Sequence, residues 1–156
     1  MANPQVFNAV RDSCTILGRF FTEVSQEVGE KRAAEMYGKY AEGFGEAIGN
    51  LIKENKGQEA ATEKIAAGLD VMFAGFGIDG KFDITPATIE CHTTACPIYD
   101  GFLAAGLEHQ TIETMCRSAG KCEATALERI VPDAEISLVK FKEKADDFCT
   151  EVIKLS

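Results

Sequence analysis

The sequence predicts an α+β domain: N-terminal helices packed on a small antiparallel sheet, with a C-terminal β-hairpin. Three observations predict it. Helical hydrophobic periodicity fills the first half of the chain, and β-branched, alternating segments begin only after Gly75, Gly77 and Gly80. The tail then alternates on either side of a short charged connection, which is a hairpin pattern. At 156 residues the chain reads as a single domain, 1–156, with a helical half of about 1–76 and a cysteine-containing α/β half of about 82–156. A domain of this size removes about 68–70% of its unfolded surface from water, enough for a core without covalent staples.

Residues 3–28 place Val6, Val10, Leu17, Phe21, Val24 and Val28 at helical spacing, with Gly29 as the stop. Residues 30–54 repeat the pattern through Ala33, Met36, Tyr37, Tyr40, Phe44, Ile48, Leu51 and Ile52. This second helix carries Gly38, Gly43, Gly45 and Gly49, each costing up to about 1 kcal/mol relative to alanine. That density predicts the close approach of another backbone or a ligand, and it leaves a homodimer contact open. Asn55-Lys56-Gly57 is a break, and residues 58–74 form a third helix with Ile65, Leu69, Met72 and Phe73 inward. Residues 82–92 read as one or two short strands, with Pro86 at a strand end or edge.

Cys96-Pro97 opens the next helix, which Gly106 closes. Proline suits the first helical position because its missing N–H has no intrahelical partner there. Cys96 is thereby the N-cap, beside unpaired N–H donors and the positive end of the helix dipole. Such a thiol is expected to ionise readily, and the thiolate is both nucleophile and metal ligand. Residues 108–130 form a further helix, with Ile112, Met115, Cys116, Ala119, Ala126, Leu127 and Ile130 for burial and Gly120 as a point of division. Residues 134–141 and 147–155 are the hairpin strands.

A net charge of -9 argues against nucleic acid and against an anionic membrane surface. The N-terminus shows no charged-then-apolar targeting signal, and no apolar run reaches the roughly 18 residues of a membrane span. A cytoplasmic protein is therefore expected, with its six cysteines as thiols or ligands rather than disulfides.

The cysteines do not all invite the same reading. Cys14 shares a face with Val10, Leu17 and Phe21, where a thiol serves as a small hydrophobe. Cys91 alternates with Ile89, while His92 falls on the face expected to be wet with Thr88 and Glu90. Cys116 and Cys122 lie six residues apart, about 600° around an unbroken helix, so they do not share a face. Cys116 matches the apolar stripe, and Cys122 sits on the more polar side. Cys149 points inward with Ile153 and Leu155, and His109 is expected at the surface. There is no C-x-x-C or H-E-x-x-H, no G-x-G-x-x-G after a strand, no Walker pattern and no G-x-S-x-G.

The C-terminal half resembles the L-2-amino-thiazoline-4-carboxylic acid hydrolase-like family and, more distantly, the 4-vinyl reductase type of small-molecule-binding domain. The carrying residues are Cys96-Pro97 entering a helix, Cys116 in the next helix, Val131-Pro132 before a strand, and Lys144-Ala145-Asp146-Asp147-Phe148-Cys149. In these families a Gly-Asp-type turn precedes the last strand and its cysteine; alanine stands in the glycine position here. The likeness covers roughly residues 85–155.

The resemblance implies Cys96, Cys116 and Cys149 as functional thiols. The vinyl-reductase type implies a small hydrophobic or tetrapyrrole-like ligand and, in some members, zinc held by cysteines. Those members carry a further cysteine in the strand before the turn, where this chain has Leu138-Val139-Lys140-Phe141, so Cys91 or Cys122 would replace it. Two functions are expected from this. The first is a module whose Cys96, Cys116 and Cys149, with Cys91 or Cys122, hold zinc or an iron–sulfur cluster and a small ligand. The second is a hydrolase of a C–N bond in a small heterocycle, with Cys96 as nucleophile or metal ligand. His92, Asp100, Asp147 and Lys121 are its candidate supporting groups. Chemically idle buried thiols are the blandest alternative.

Overall fold

The computed structural model describes residues 3–55, 61–144 and 146–155. Of the features read from the sequence, Lys56-Gly57, residues 58–60 and Ala145 lie outside the described residues. Helices α1 (Pro4–Val28), α2 (Glu30–Asn55) and α3 (Ala61–Phe76) lead into strands β1 (Asp79–Ile84) and β2 (Thr88–Ala95). Helices α4 (Pro97–Ala104) and α5 (His109–Ile130) follow, and β3 (Glu135–Lys140) and β4 (Cys149–Lys154) close the chain. The fold is α+β, as the sequence predicts.

The strands form one antiparallel sheet in the order β1-β2-β4-β3. The C-terminal hairpin thus brings its last strand into the middle of the sheet, against β2. Cys91 pairs with Glu151 and Thr93 with Cys149 across that central seam. Directly opposed residues point to the same side, so all four side chains project from one face. His92 and Thr150 project from the other.

Two apolar clusters stabilise the helical layer on the sheet. Phe21, Tyr99, Phe102, Ile112 and Met115 meet where α1, α2, α4 and α5 converge. Ile65, Leu69, Phe73, Ile89, Leu127 and Ile153 join α3 and α5 to the inner face of the sheet. Cys91 is buried in this second cluster, in keeping with its alternation with Ile89.

Helices α1 and α2 turn back on each other at Gly29, whose φ of 83° is a conformation that favours glycine. Beyond that turn each is committed to a different partner: α1 packs chiefly on α4, and α2 chiefly on α5. The glycines of α2 explain the second pairing. A Cβ on Gly45 would collide with the backbone of Cys122, and one on Gly49 would lie 2.7 Å from the carbonyl oxygen of Ala126. The close approach expected of this helix is therefore made inside the molecule. Lys121 with Glu42 at 2.9 Å, and Arg129 with Glu46, flank the contact as exposed ion pairs. Helix α5 runs unbroken through Gly120, contrary to the division allowed for there. Gly120 has open space beside it, and the long contact with α2 supports the helix on both sides of that residue.

Candidate functional site

Because α1 and α2 are drawn towards different partners, a cavity of about 510 Å³ lies between them, above the inner face of the sheet. Its wall takes Val10, Cys14 and Leu17 from α1, and Tyr37, Tyr40 and Phe44 from α2. Met72, Phe73 and Phe76 come from α3, and Cys96, Ile98 and Tyr99 from α4. Helix α5 contributes Cys116, Cys122 and Glu123, while Cys149 and Glu151 come from β4. The lining is overwhelmingly apolar. At the mouth Tyr40 is 72% exposed.

Five of the six cysteines face this space; Cys91 does not. All six are free thiols. Cys96 occupies the N-cap of α4 with an extended backbone, as its sequence context predicts. The N–H groups of Ile98 and Tyr99 point towards its sulfur and favour the thiolate, although neither makes a conventional capping hydrogen bond. Burial outweighs them. It pushes the Cys96 thiol up to about 12, so the expectation of a readily ionised cysteine is overturned. The expectation counted the helix terminus and could not count the apolar cover above it.

Burial also raises Cys116 well above the usual thiol range, followed by the nearby charges that Cys96 and Cys149 would carry. Cys149 is raised by burial too, against the opposing pull of the Lys142 N–H and ammonium. These three thiols therefore stand within electrostatic reach of one another, although they come from α4, α5 and β4. Cys14 is pushed up to about 11 by burial and lies in the cavity wall, not wholly in the core. Cys122 is buried, not on a polar face, because α2 covers it through Gly45. Burial, then the Glu151 carboxylate beside it, raises Cys91 to about 12.

Among the described residues, no group of three or more His, Cys, Asp or Glu side chains is arranged to hold a metal ion. The thiol donors suit zinc or an iron–sulfur cluster chemically. Their placement here is around a cavity wall and does not form a coordination set.

Sequence reasoning missed the two carboxyl groups of the cavity. Glu123 and Glu151 hydrogen-bond to each other across the gap between α5 and β4. Burial raises both, and Glu123 is raised further by the charge of the neighbouring Glu151 carboxyl and by the hydrogen bond to it. A signal for each was present. Glu151 alternates between Cys149 and Ile153 on the inward side of its strand, and Glu123 lies on the α5 stripe between Ala119 and Ala126.

The residues named to support a hydrolase lie elsewhere. Nδ1 of His92 faces the Thr150 hydroxyl at 3.3 Å, and its Nε2 is 3.3 Å from Asp83 and 3.4 Å from Glu90, on the outer face of the sheet. Asp147 is held well below the usual carboxylate range by Lys140, and Lys121 is engaged with Glu42. Asp100 sits in the first turn of α4, outside the cavity lining. His109 is exposed, as expected, and its Nε2 meets the carbonyl of Lys142 at 2.8 Å.

No protein-family model matches the chain, and no curated protein matches it significantly. Among the described residues, no helix is long and apolar enough to cross a membrane.

Proposed function

We propose that this chain is a small-molecule-binding module, kin to the hydrolase-like and vinyl-reductase-type domains, whose ligand occupies the cavity between α1 and α2. One observation carries this reading: an apolar, open-mouthed space of about 510 Å³ runs into an otherwise closely packed domain. That size is ordinary for a drug-sized ligand, and an unfilled apolar space of this kind is costly for a fold to maintain. The order and spacing of Cys96-Pro97, Cys116, Val131-Pro132 and Cys149 support the kinship. We place the protein in the reducing cytoplasm, which suits six free thiols, with neither nucleic acid nor membrane as partner.

The three tyrosines of the chain, Tyr37, Tyr40 and Tyr99, all line the cavity, and there is no tryptophan. Intrinsic fluorescence therefore reports on this space alone. Titration with a neutral aromatic compound such as benzyl alcohol should change the tyrosine emission saturably. Replacing Ala41 in the wall with Phe should abolish that response while the protein stays folded. A response that never saturates, or that survives this substitution, overturns the proposal.

A second reading is a metal centre of zinc or an iron–sulfur cluster on Cys96, Cys116 and Cys149, with Cys122 or Cys91. The mutual electrostatic reach of the first three thiols favours it. Metal and sulfide quantification on anaerobically purified protein tests it. Stoichiometric metal that is lost in both Cys96→Ser and Cys149→Ser supports it, and metal-free protein removes it. The hydrolase reading has less support, since the Cys96 thiol is held neutral and the cavity lining contains no histidine among the described residues.

A further inference from the structure

The polar content of the cavity is one-sided. Its wall carries two carboxyl groups and, among the described residues, no lysine, arginine or histidine. Glu151 lies in the middle of the sheet, opposite Cys91 on β2 and Leu138 on β3, so its strand neighbours on this face are uncharged. Glu123 reaches it from α5 and hydrogen-bonds to it. Ionisation of either carboxyl places a negative charge here.

The remaining titratable groups of the wall do not neutralise it. Burial raises the thiols of Cys14 on α1, Cys96 on α4, Cys116 and Cys122 on α5 and Cys149 on β4. It likewise raises the phenols of Tyr37 on α2 and Tyr99 on α4, and the Cys91 thiol behind Glu151. All of these are uncharged at neutral pH. Lys142 is buried outside the lining, with its ammonium 4.7 Å from the centre of the Tyr99 ring, and it acts on Cys96 and Cys149. A negative charge enclosed without a counter-charge is strongly unfavourable, and a cationic partner offsets much of that cost.

The rest of the wall also suits a cation. Seven aromatic rings line the space, Tyr37, Tyr40, Phe44 and Tyr99 among them, and the face of an aromatic ring attracts positive charge. We propose that the cavity selects a compact aromatic amine in its protonated form, with the ammonium group at Glu123 and Glu151 and its ring among the tyrosine and phenylalanine side chains. This inference rests on the small-molecule reading and narrows it to one charge class. It disfavours carboxylate ligands, because the lining beside the acid pair holds no lysine, arginine or histidine among the described residues.

The test is calorimetric titration of the intact chain at pH 7 with three probes of one shape: 2-phenylethylamine, 2-phenylethanol and 3-phenylpropanoate. The amine should bind about tenfold or more tightly than the alcohol, and the carboxylate most weakly. In Glu151→Gln, a near-isosteric change, the amine's advantage should shrink to about twofold while the alcohol binds as before. Glu123→Gln provides a second variant and should also reduce the preference. Equal affinity for amine and alcohol in the wild-type chain, or a preference that survives both substitutions, overturns the charge selection and leaves the cavity reading standing. If none of the three probes binds, the small-molecule reading itself falls, and this inference with it.

Discussion

Helix α2 has two flanks, and the protein treats them in opposite ways. Towards α5 it presents Gly45 and Gly49, and the two backbones meet with no room for a methyl group. Towards α1 it presents Tyr37, Tyr40 and Phe44, and the two helices stand apart around a cavity. The contrast shows how one helix can be both a fixed strut and the wall of a pocket. Glycine sets the distance on the first flank, and large rings set it on the second. The thiols and carboxyl groups then fall on the open side because α5 and the sheet complete that wall.

The sharpest way to break the comparison is to unpack one side and then the other. Met115 on α5 is fully enclosed in the cluster that includes Ala33 and Ala34 of α2, so Met115→Ala should cost about 2–5 kcal/mol. Tyr40→Ala, at the cavity mouth, should change stability by about 0.5 kcal/mol or less. Urea midpoints at constant slope measure both. Equal costs would mean that the open flank is packed as tightly as the closed one.

The next effect tests the seam directly. Gly45→Val forces α2 away from the Cys122 backbone and should cost about 3 kcal/mol, at the upper end for overpacking. A neutral outcome would show that α5 can retreat at no cost, and that glycine does not set the spacing.

The acid pair gives a smaller and pH-dependent effect. Glu151 has a folded-state pKa raised above its ordinary 4.5, so the folded chain binds more protons than the unfolded one. Its favourable contribution is fully present below the unfolded pKa and is lost as pH rises through the folded one. Stability should fall across that window by up to about 1.4 kcal/mol per pH unit, and Glu151→Gln should flatten the decline. Melting temperatures collected from acid to neutral pH decide this; identical profiles for the two proteins would dismiss the buried pair.

The smallest prediction concerns a glycine on neither flank. Gly43 faces open space with no positive φ, so Gly43→Ala should stabilise the chain by about 0.4–1 kcal/mol. A loss of stability there would mean that something covers this position in solution.

Much of this architecture was legible because it is local. The stop at Gly29, the N-cap at Cys96, the inward alternation of Cys91 and the C-terminal hairpin are each written within a few adjacent residues. The site was less legible because it is assembled from distant ones. Cys14 packs against the core, as its face predicts, but its place in the cavity wall depends on the distant α2; Cys122 sits beside Lys121 and Glu123 in sequence, and only the fold brings Gly45 over it. The ionisation of Cys96 is hidden for the same reason, since a helix terminus is visible in sequence and its desolvation is not. Glu151 was within reach, because strand parity alone places it inward.

The pairing of α1 with α4 and of α2 with α5 also decides how the chain must be made. Each early helix waits for a mate encoded much later, and the two pairings interleave rather than nest. A chain synthesised only as far as α3 presents the glycine-notched face of α2 with no α5 to cover it. Both pairings are long-range in sequence, which places this topology on the slower side of folding for its size.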